Sequence, residues 1–178
     1  MTFNHLHSIL FENTKARDYS CLMLDLSFLQ EDIEKLQEEI CPCEIYDEDG
    51  YGLENEFHCT VLYGIHESKS YDALSVLDLK PIKFKLSGIS LFENDRYDVV
   101  KFDIRSRDLM ELNKQVCDKL SYTNDYPKYH PHATIFYATK GSGKHYTRLR
   151  SKLIGKEFVS DRFIFSDPNG NKVFYTCK

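Results

Sequence analysis

Two segments of the chain repeat one pattern. Phe57-His58-Cys59-Thr60-Val61-Leu62-Tyr63-Gly64 and Pro131-His132-Ala133-Thr134-Ile135-Phe136-Tyr137 each read His-x-Thr, two apolar residues, then Tyr. Successive side chains of a strand point to opposite faces, so residues i and i+2 share one. On strands, His58 and Thr60 therefore face one way, as do His132 and Thr134, while Cys59, Val61, Ala133 and Ile135 face the buried side. By the same alternation Tyr63 and Tyr137 point opposite to their threonines, into the core. Two imidazoles and two hydroxyls lining one cleft supply a general base, a general acid and two neutral donors for an anionic oxygen. That set can break a phosphodiester without a metal.

The copies lie in opposite halves of a 178-residue chain, as a duplicated half-domain would place them. The element pattern agrees. A strand is expected over 19–26, then a helix over 27–39 capped by Ser27, with Phe28, Leu29, Ile33, Leu36, Gln37 and Ile40 as its inner stripe. Residues 46–56 form an acidic loop; Asp47-x-Asp49 lacks the rest of a calcium-loop template. The first motif strand spans 56–64, followed by a helix over 68–78. A strand over 82–92, bent at Gly88, makes a hairpin with 97–104 through Asn94-Asp95-Arg96. Ser106 caps a second helix to about residue 120. Two prolines make 125–131 a loop, and the second motif strand covers 132–138. A basic helix over 145–154 and strands near 156–166 and 171–176 complete the chain. Strand, helix, motif strand, helix thus occurs twice, which implies two lobes without a linker between independent domains. Residues 1–18 read as a short helix or arm.

The two His-x-Thr motifs resemble those of the 2H phosphoesterase superfamily, which includes LigT-like proteins and cyclic phosphodiesterases. The resemblance spans residues 19 to the C-terminus, although its specific part is the motifs. It implies an α+β, bilobal fold: two pseudo-symmetric antiparallel-sheet lobes in one domain, helices outside, a cleft between. It also implies catalysis by His58 and His132 as base and acid, in an order the sequence leaves open, with Thr60 and Thr134 stabilising the non-bridging oxygens. Gly52-Leu53-Glu54 ahead of the first motif, and Lys140-Gly141 behind the second, are similar to a phage branch containing anti-CBASS nucleases. That likeness implies a small cyclic oligonucleotide substrate, 3′,5′-linked and opened to a linear product in a host bacterial cytosol. A 2′,3′-cyclic phosphodiesterase acting on RNA ends and a non-catalytic nucleotide sponge are the alternatives.

Composition narrows the partner. A formal charge of −5 disfavours a tight grip on duplex nucleic acid, whose binding rests on Lys and Arg neutralising phosphates. A small nucleotide in a locally basic cleft remains compatible. Lys140 is the candidate phosphate neighbour, and Tyr19, Phe92 and Tyr129 are the candidate base-stacking residues. No cofactor or metal is expected: there is no Gly-x-x-x-x-Gly-Lys-Ser/Thr loop and no Asp/Glu/His cluster. The six cysteines, with Cys41-Pro42-Cys43 the one close pair, read as reduced thiols of a cytoplasmic protein. No apolar run reaches the ~20 residues of a membrane span. A monomer is expected.

Overall fold

Alternation of apolar residues along eight segments produces two four-stranded antiparallel sheets. The computed structural model describes residues 19–48, 50–124 and 128–177. The expected N-terminal arm, Asp49 and part of the 125–131 loop lie outside them. The first sheet has the order β2-β1-β7-β8, where β1 is Ser20–Asp25, β2 His58–Ile65, β7 Arg162–Ser166 and β8 Lys172–Thr176. The second has the order β5-β4-β3-β6, where β3 is Ile82–Glu93, β4 Tyr97–Arg105, β5 His132–Thr139 and β6 Glu157–Ser160. The fold is α+β, and each motif strand is the edge strand of its sheet.

One core joins the sheets. Leu22, Leu24, Phe163 and Phe165 of the first sheet bury against Phe84, Leu86, Phe102 and Ile104 of the second, with the helices α1 (Gln30–Gln37) and α3 (Arg107–Lys119) contributing Ile33, Leu36, Leu109, Leu112 and Val116. Burying such side chains stabilises by roughly 1.5–3 kcal/mol each. The helices cross over: α1, which connects β1 to β2, packs on β5, whereas α3, which connects β4 to β5, packs on β2 and β3.

The following segments also cross over, and they cover the edges of the motif strands. Residues 45–46 and 52–54 lie along β5, through Tyr46 N–H to Tyr137 O at 2.9 Å, Tyr137 N–H to Gly52 O at 2.8 Å and Glu54 N–H to Ile135 O at 3.0 Å. Residues 121–123 lie along β2, where Thr123 N–H donates to Gly64 O at 2.9 Å. Gly64 has φ +93°, and a Cβ there would sit 1.9 Å from the Thr123 carbonyl oxygen, so the glycine that ends the first motif is required by this close approach.

Several local expectations are corrected. Residues Ser27–Leu29 form a 3-10 turn, and Ser27 does not cap α1: Asp25 Oδ1 accepts its N–H at 2.8 Å. Phe28 is half exposed rather than part of the inner stripe. Ser106 does cap α3, accepting from Leu109 N–H at 3.0 Å. The helix α2 is shorter than expected, Ser70–Ser75. The basic helix over 145–154 reduces to a single turn, α4 Gly143–Tyr146; beyond it the chain continues in turns and irregular backbone, from which Leu149 and Leu153 still pack on the core. Cys41 and Cys43 are joined as a disulfide rather than reduced; Pro42 bends the chain into a 3-10 turn with their Cα atoms 5.3 Å apart, within disulfide reach. Cys21, Cys59, Cys117 and Cys177 are thiols outside the disulfide.

Candidate active site

The face of each sheet opposite the shared core carries the motif side chains. Antiparallel partners share a face, and β1 pairs with β2 as Asp25↔His58, Met23↔Thr60 and Cys21↔Tyr63. In the second sheet β4 pairs with β5 as Asp103↔His132, Lys101↔Thr134 and Val99↔Tyr137. Both ladders skip one residue directly after Thr: Val61 in β2, Ile135 in β5. Each is a β-bulge, and each brings the motif tyrosine round to the face of its threonine. This overturns the alternation-based expectation for both tyrosines. Tyr63 packs with Cys21, Met23 and Ile164, and Tyr137 with Tyr97 and Val99, in small clusters apart from the main core.

The edge strands β2 and β5 meet along a seam. The Cys59 thiol lies by the backbone N–H of His132, and burial pushes that thiol up to about 11, so it stays protonated and inert. The Tyr129 hydroxyl donates to the Thr60 carbonyl at 2.9 Å. His58 and His132 therefore stand on either side of one seam, both on the side away from the core.

Their rings are set alike. His58 Nδ1 lies 2.5 Å from the Glu56 carbonyl oxygen, and His132 Nδ1 lies 2.8 Å from that of His130. A carbonyl only accepts, so Nδ1 carries a proton in both rings. In the neutral imidazole the lone pair then belongs to Nε2, the nitrogen that exchanges protons. Each histidine also faces an aspartate paired to a cation. Asp25, 2% exposed, lies 2.8 Å from Arg162 Nη2. Asp103 lies 2.7 Å from the Lys101 ammonium.

The two faces differ beyond this shared frame. Across the first sheet, Thr60 is followed by Met23, Ile164 and the largely exposed Phe174, an apolar row. Across the second, Thr134 is followed by Lys101 and Ser90. Lys101 is 4% exposed, and its ammonium donates to Ser90 Oγ at 2.8 Å and stands 4.1 Å from the centre of the Phe92 ring. Burial pushes the Asp103 carboxyl up, but Lys101 and the Ser90 hydroxyl outweigh it and hold the group below the usual aspartate range. Burial also pushes the Glu54 carboxyl up, with nearby His58 opposing the shift.

The candidate substrate-contacting residues fall in different places. Phe92 is on the motif face, its ring edge-on to His132 at 5.0 Å between centroids. Tyr19 is at the far end of the first motif face, stacked on His66 at 5.2 Å. Tyr129 packs against the main core and uses its hydroxyl on Thr60, so it braces the motif strand and presents no face for stacking. Lys140 pairs with Asp98 at 3.3 Å, on the face opposite the motif residues, so it is not brought to the motif threonines. Asp25, Lys101, Asp103 and Phe174 were not singled out by sequence reasoning; only the strand register identifies them. Among the described residues no group of three or more His, Cys, Asp or Glu side chains is arranged to hold a metal ion. Nor is any helix among them long and apolar enough to cross a membrane.

No protein-family model matches the chain, and no curated protein matches it in sequence. Solved structures do share its fold. LigT of E. coli in complex with 3′-AMP superposes with a TM-score of 0.58 at 14% identity, over 90% of this chain and 95% of that one. Usb1 of Kluyveromyces marxianus superposes with a TM-score of 0.56 at 9% identity, over 91% of this chain and 99% of that one; it has also been solved with uridine monophosphate. The chain therefore has the two-sheet fold expected from the resemblance of its motifs to the 2H phosphoesterases.

Proposed function

We propose that this protein is a 2H-type phosphodiesterase that works without a metal, with His58 and His132 as its proton-transfer pair. The observation that carries the reading is the duplicated geometry at the seam. Two His-x-Thr strands present the same face, the same bulge and the same Nδ1–carbonyl bond. One Nε2 takes the proton of the attacking hydroxyl while the other protonates the departing oxygen. Thr60 and Thr134 donate to the non-bridging oxygens, whose charge grows in the transition state. Imidazoles with an ordinary value near ~6.5 serve both roles close to neutral pH. Which histidine is base follows from the direction in which the substrate lies.

The substrate we propose is a small cyclic oligonucleotide, a 3′,5′-linked cyclic di- or trinucleotide opened to a linear product, as a phage counter-defence enzyme would do in a host bacterial cytosol. The similarity of the motif surroundings to the phage branch supports it. So do the formal charge of −5, which disfavours long nucleic acid, and aromatic residues on both motif faces. A second reading, cleavage of 2′,3′-cyclic phosphates at RNA ends, is favoured by the complexes of LigT with 3′-AMP and Usb1 with uridine monophosphate. Incubation with cyclic di- and trinucleotides beside 2′,3′-cyclic mononucleotides and short RNAs, with products weighed by mass spectrometry, decides between them. Linear products from the cyclic oligonucleotides support the first reading. Turnover of RNA ends alone supports the second, and intact nucleotide recovered after denaturation identifies a sponge.

A further inference from the structure

A bulged residue loses its place in the ladder, so its carbonyl must find another donor or lie unsatisfied beside the core. Both motif bulges find one in the same way. Asn113 Nδ2 donates to the Val61 carbonyl at 2.8 Å, and Gln37 Nε2 donates to the Ile135 carbonyl at 2.8 Å. Neither amide comes from the lobe it serves: Gln37 ends α1 of the first lobe yet holds β5, and Asn113 lies on α3 of the second yet holds β2.

We propose that Asn113 and Gln37 are positioning residues for Thr60 and Thr134, each fixing from the opposite lobe the bulge that follows its threonine. The inference rests on the phosphodiesterase reading for its kinetic consequence, though not for its geometry. A bulge that migrates or straightens slips the strand by one residue and sends side chains to the other face. A bulge that migrates to the residue ahead of the threonine takes the hydroxyl off the face of the histidine, and one that straightens takes the motif tyrosine off it. The two caps are unequal. The Ile135 carbonyl also accepts the Glu54 N–H at 3.0 Å, and Gln37 divides its donors with the Glu54 carbonyl, also at 3.0 Å. Asn113 Nδ2 donates to the Val61 carbonyl at 2.8 Å. Since the Glu54 N–H backs Gln37 at Ile135, the loss of Gln37 is expected to cost less than that of Asn113.

The test is a double-mutant cycle on the full-length protein. Asn113→Leu lowers kcat by about ten- to a hundredfold with KM within about twofold, the cost of misplacing a catalytic group by about an ångström. In a Thr60→Ala background the same change costs little further, because both act through one hydroxyl. Gln37→Leu gives a smaller loss that couples to Thr134→Ala and not to Thr60→Ala. A folded Asn113→Leu protein with wild-type kcat overturns the proposal, as does a loss that adds in full to that of Thr60→Ala. Asn113 is only half buried, and Asn113→Asp, which keeps the shape but cannot donate, is read identically if the leucine variant fails to fold. Should the wild type cleave no phosphodiester, the function reading falls, and the cycle is read in affinity for 3′-AMP. There, weakening by Asn113→Leu that vanishes with Thr60→Ala upholds the positioning role, and unchanged affinity refutes it.

Discussion

The two motif faces are built on one frame and finished differently. Both have a histidine held by a backbone carbonyl, an aspartate–cation pair across the strand, a bulge after threonine and an amide from the opposite lobe. On the first face the row beyond Thr60 is apolar and ends in the exposed Phe174; on the second, the row beyond Thr134 is the buried Lys101 and then Ser90, with Lys101 paired to Asp103 and standing under Phe92. The shared frame is what proton transfer from both sides of one phosphate requires. Under the proposed function the unequal rows would give a substrate a direction, with an apolar surface on one side and the Lys101–Asp103 pair on the other.

The largest effects should come from the shared frame. His58→Ala and His132→Ala are each expected to lower kcat by about two to four orders of magnitude, without loss of fold. Because the proposed function has the two act in one step, the double variant should be little worse than either single one. Steady-state rates beside circular dichroism check this, and a product of the two single losses in the double variant would break the equivalence of the lobes.

Next come the unequal rows. Phe92 stands edge-on to His132 and over Lys101, so Phe92→Leu should lower kcat, by about tenfold, through a loosened ring. Phe174 touches little and is 63% exposed, so Phe174→Ala should raise KM by about tenfold, one stacked base at ~1–3 kcal/mol, and leave both kcat and Tm unchanged. Rates measured over a substrate concentration series separate the two outcomes; the same kcat–KM signature for both residues would erase the proposed division between the faces.

The histidine and threonine positions were legible in the sequence because strand alternation is local. The bulges were not. Val61 and Ile135 are β-branched residues that fit a regular strand, so the chain shows no glycine to mark the irregularity. The one trace was the shared Tyr three residues after each Thr, and without the bulge it reads as core. The partners Asp25, Asp103 and Lys101 depend on strand register, which no single segment contains. Lys140 reads as a phosphate neighbour by proximity in sequence, yet Asp98, buried on the opposite face, claims it. In the 145–154 stretch Tyr146 ends the single turn of α4, and Leu149 and Leu153 reach the core from turns and irregular backbone rather than from a helix, a difference that their spacing does not show.

The smallest effects concern acid–base balance. The folded-state value of Glu54 is raised, so burial costs stability above it, and that cost disappears as pH falls towards the ordinary glutamate range. Glu54→Gln, which can still accept from Glu56 N–H, should therefore raise Tm by a few degrees at pH 7 and not at pH 4. Asp103 is the reverse case. Its folded-state value is lowered, so it stabilises above the ordinary aspartate range and the gain is lost as pH falls through the folded-state value. Asp103→Asn should flatten the acid limb of a Tm–pH curve; an unchanged acid limb would dissociate Asp103 from the cluster beside His132.

The central claim, one histidine from each lobe in a single reaction, is tested most directly by the pH dependence of kcat/KM measured in EDTA. A bell-shaped profile is predicted for the wild type, with one limb from the histidine that must be neutral and one from the histidine that must be charged. His58→Ala should abolish one limb of the residual activity and His132→Ala the other. An unchanged bell in either variant, or activity lost to EDTA and restored by a divalent metal, would contradict it.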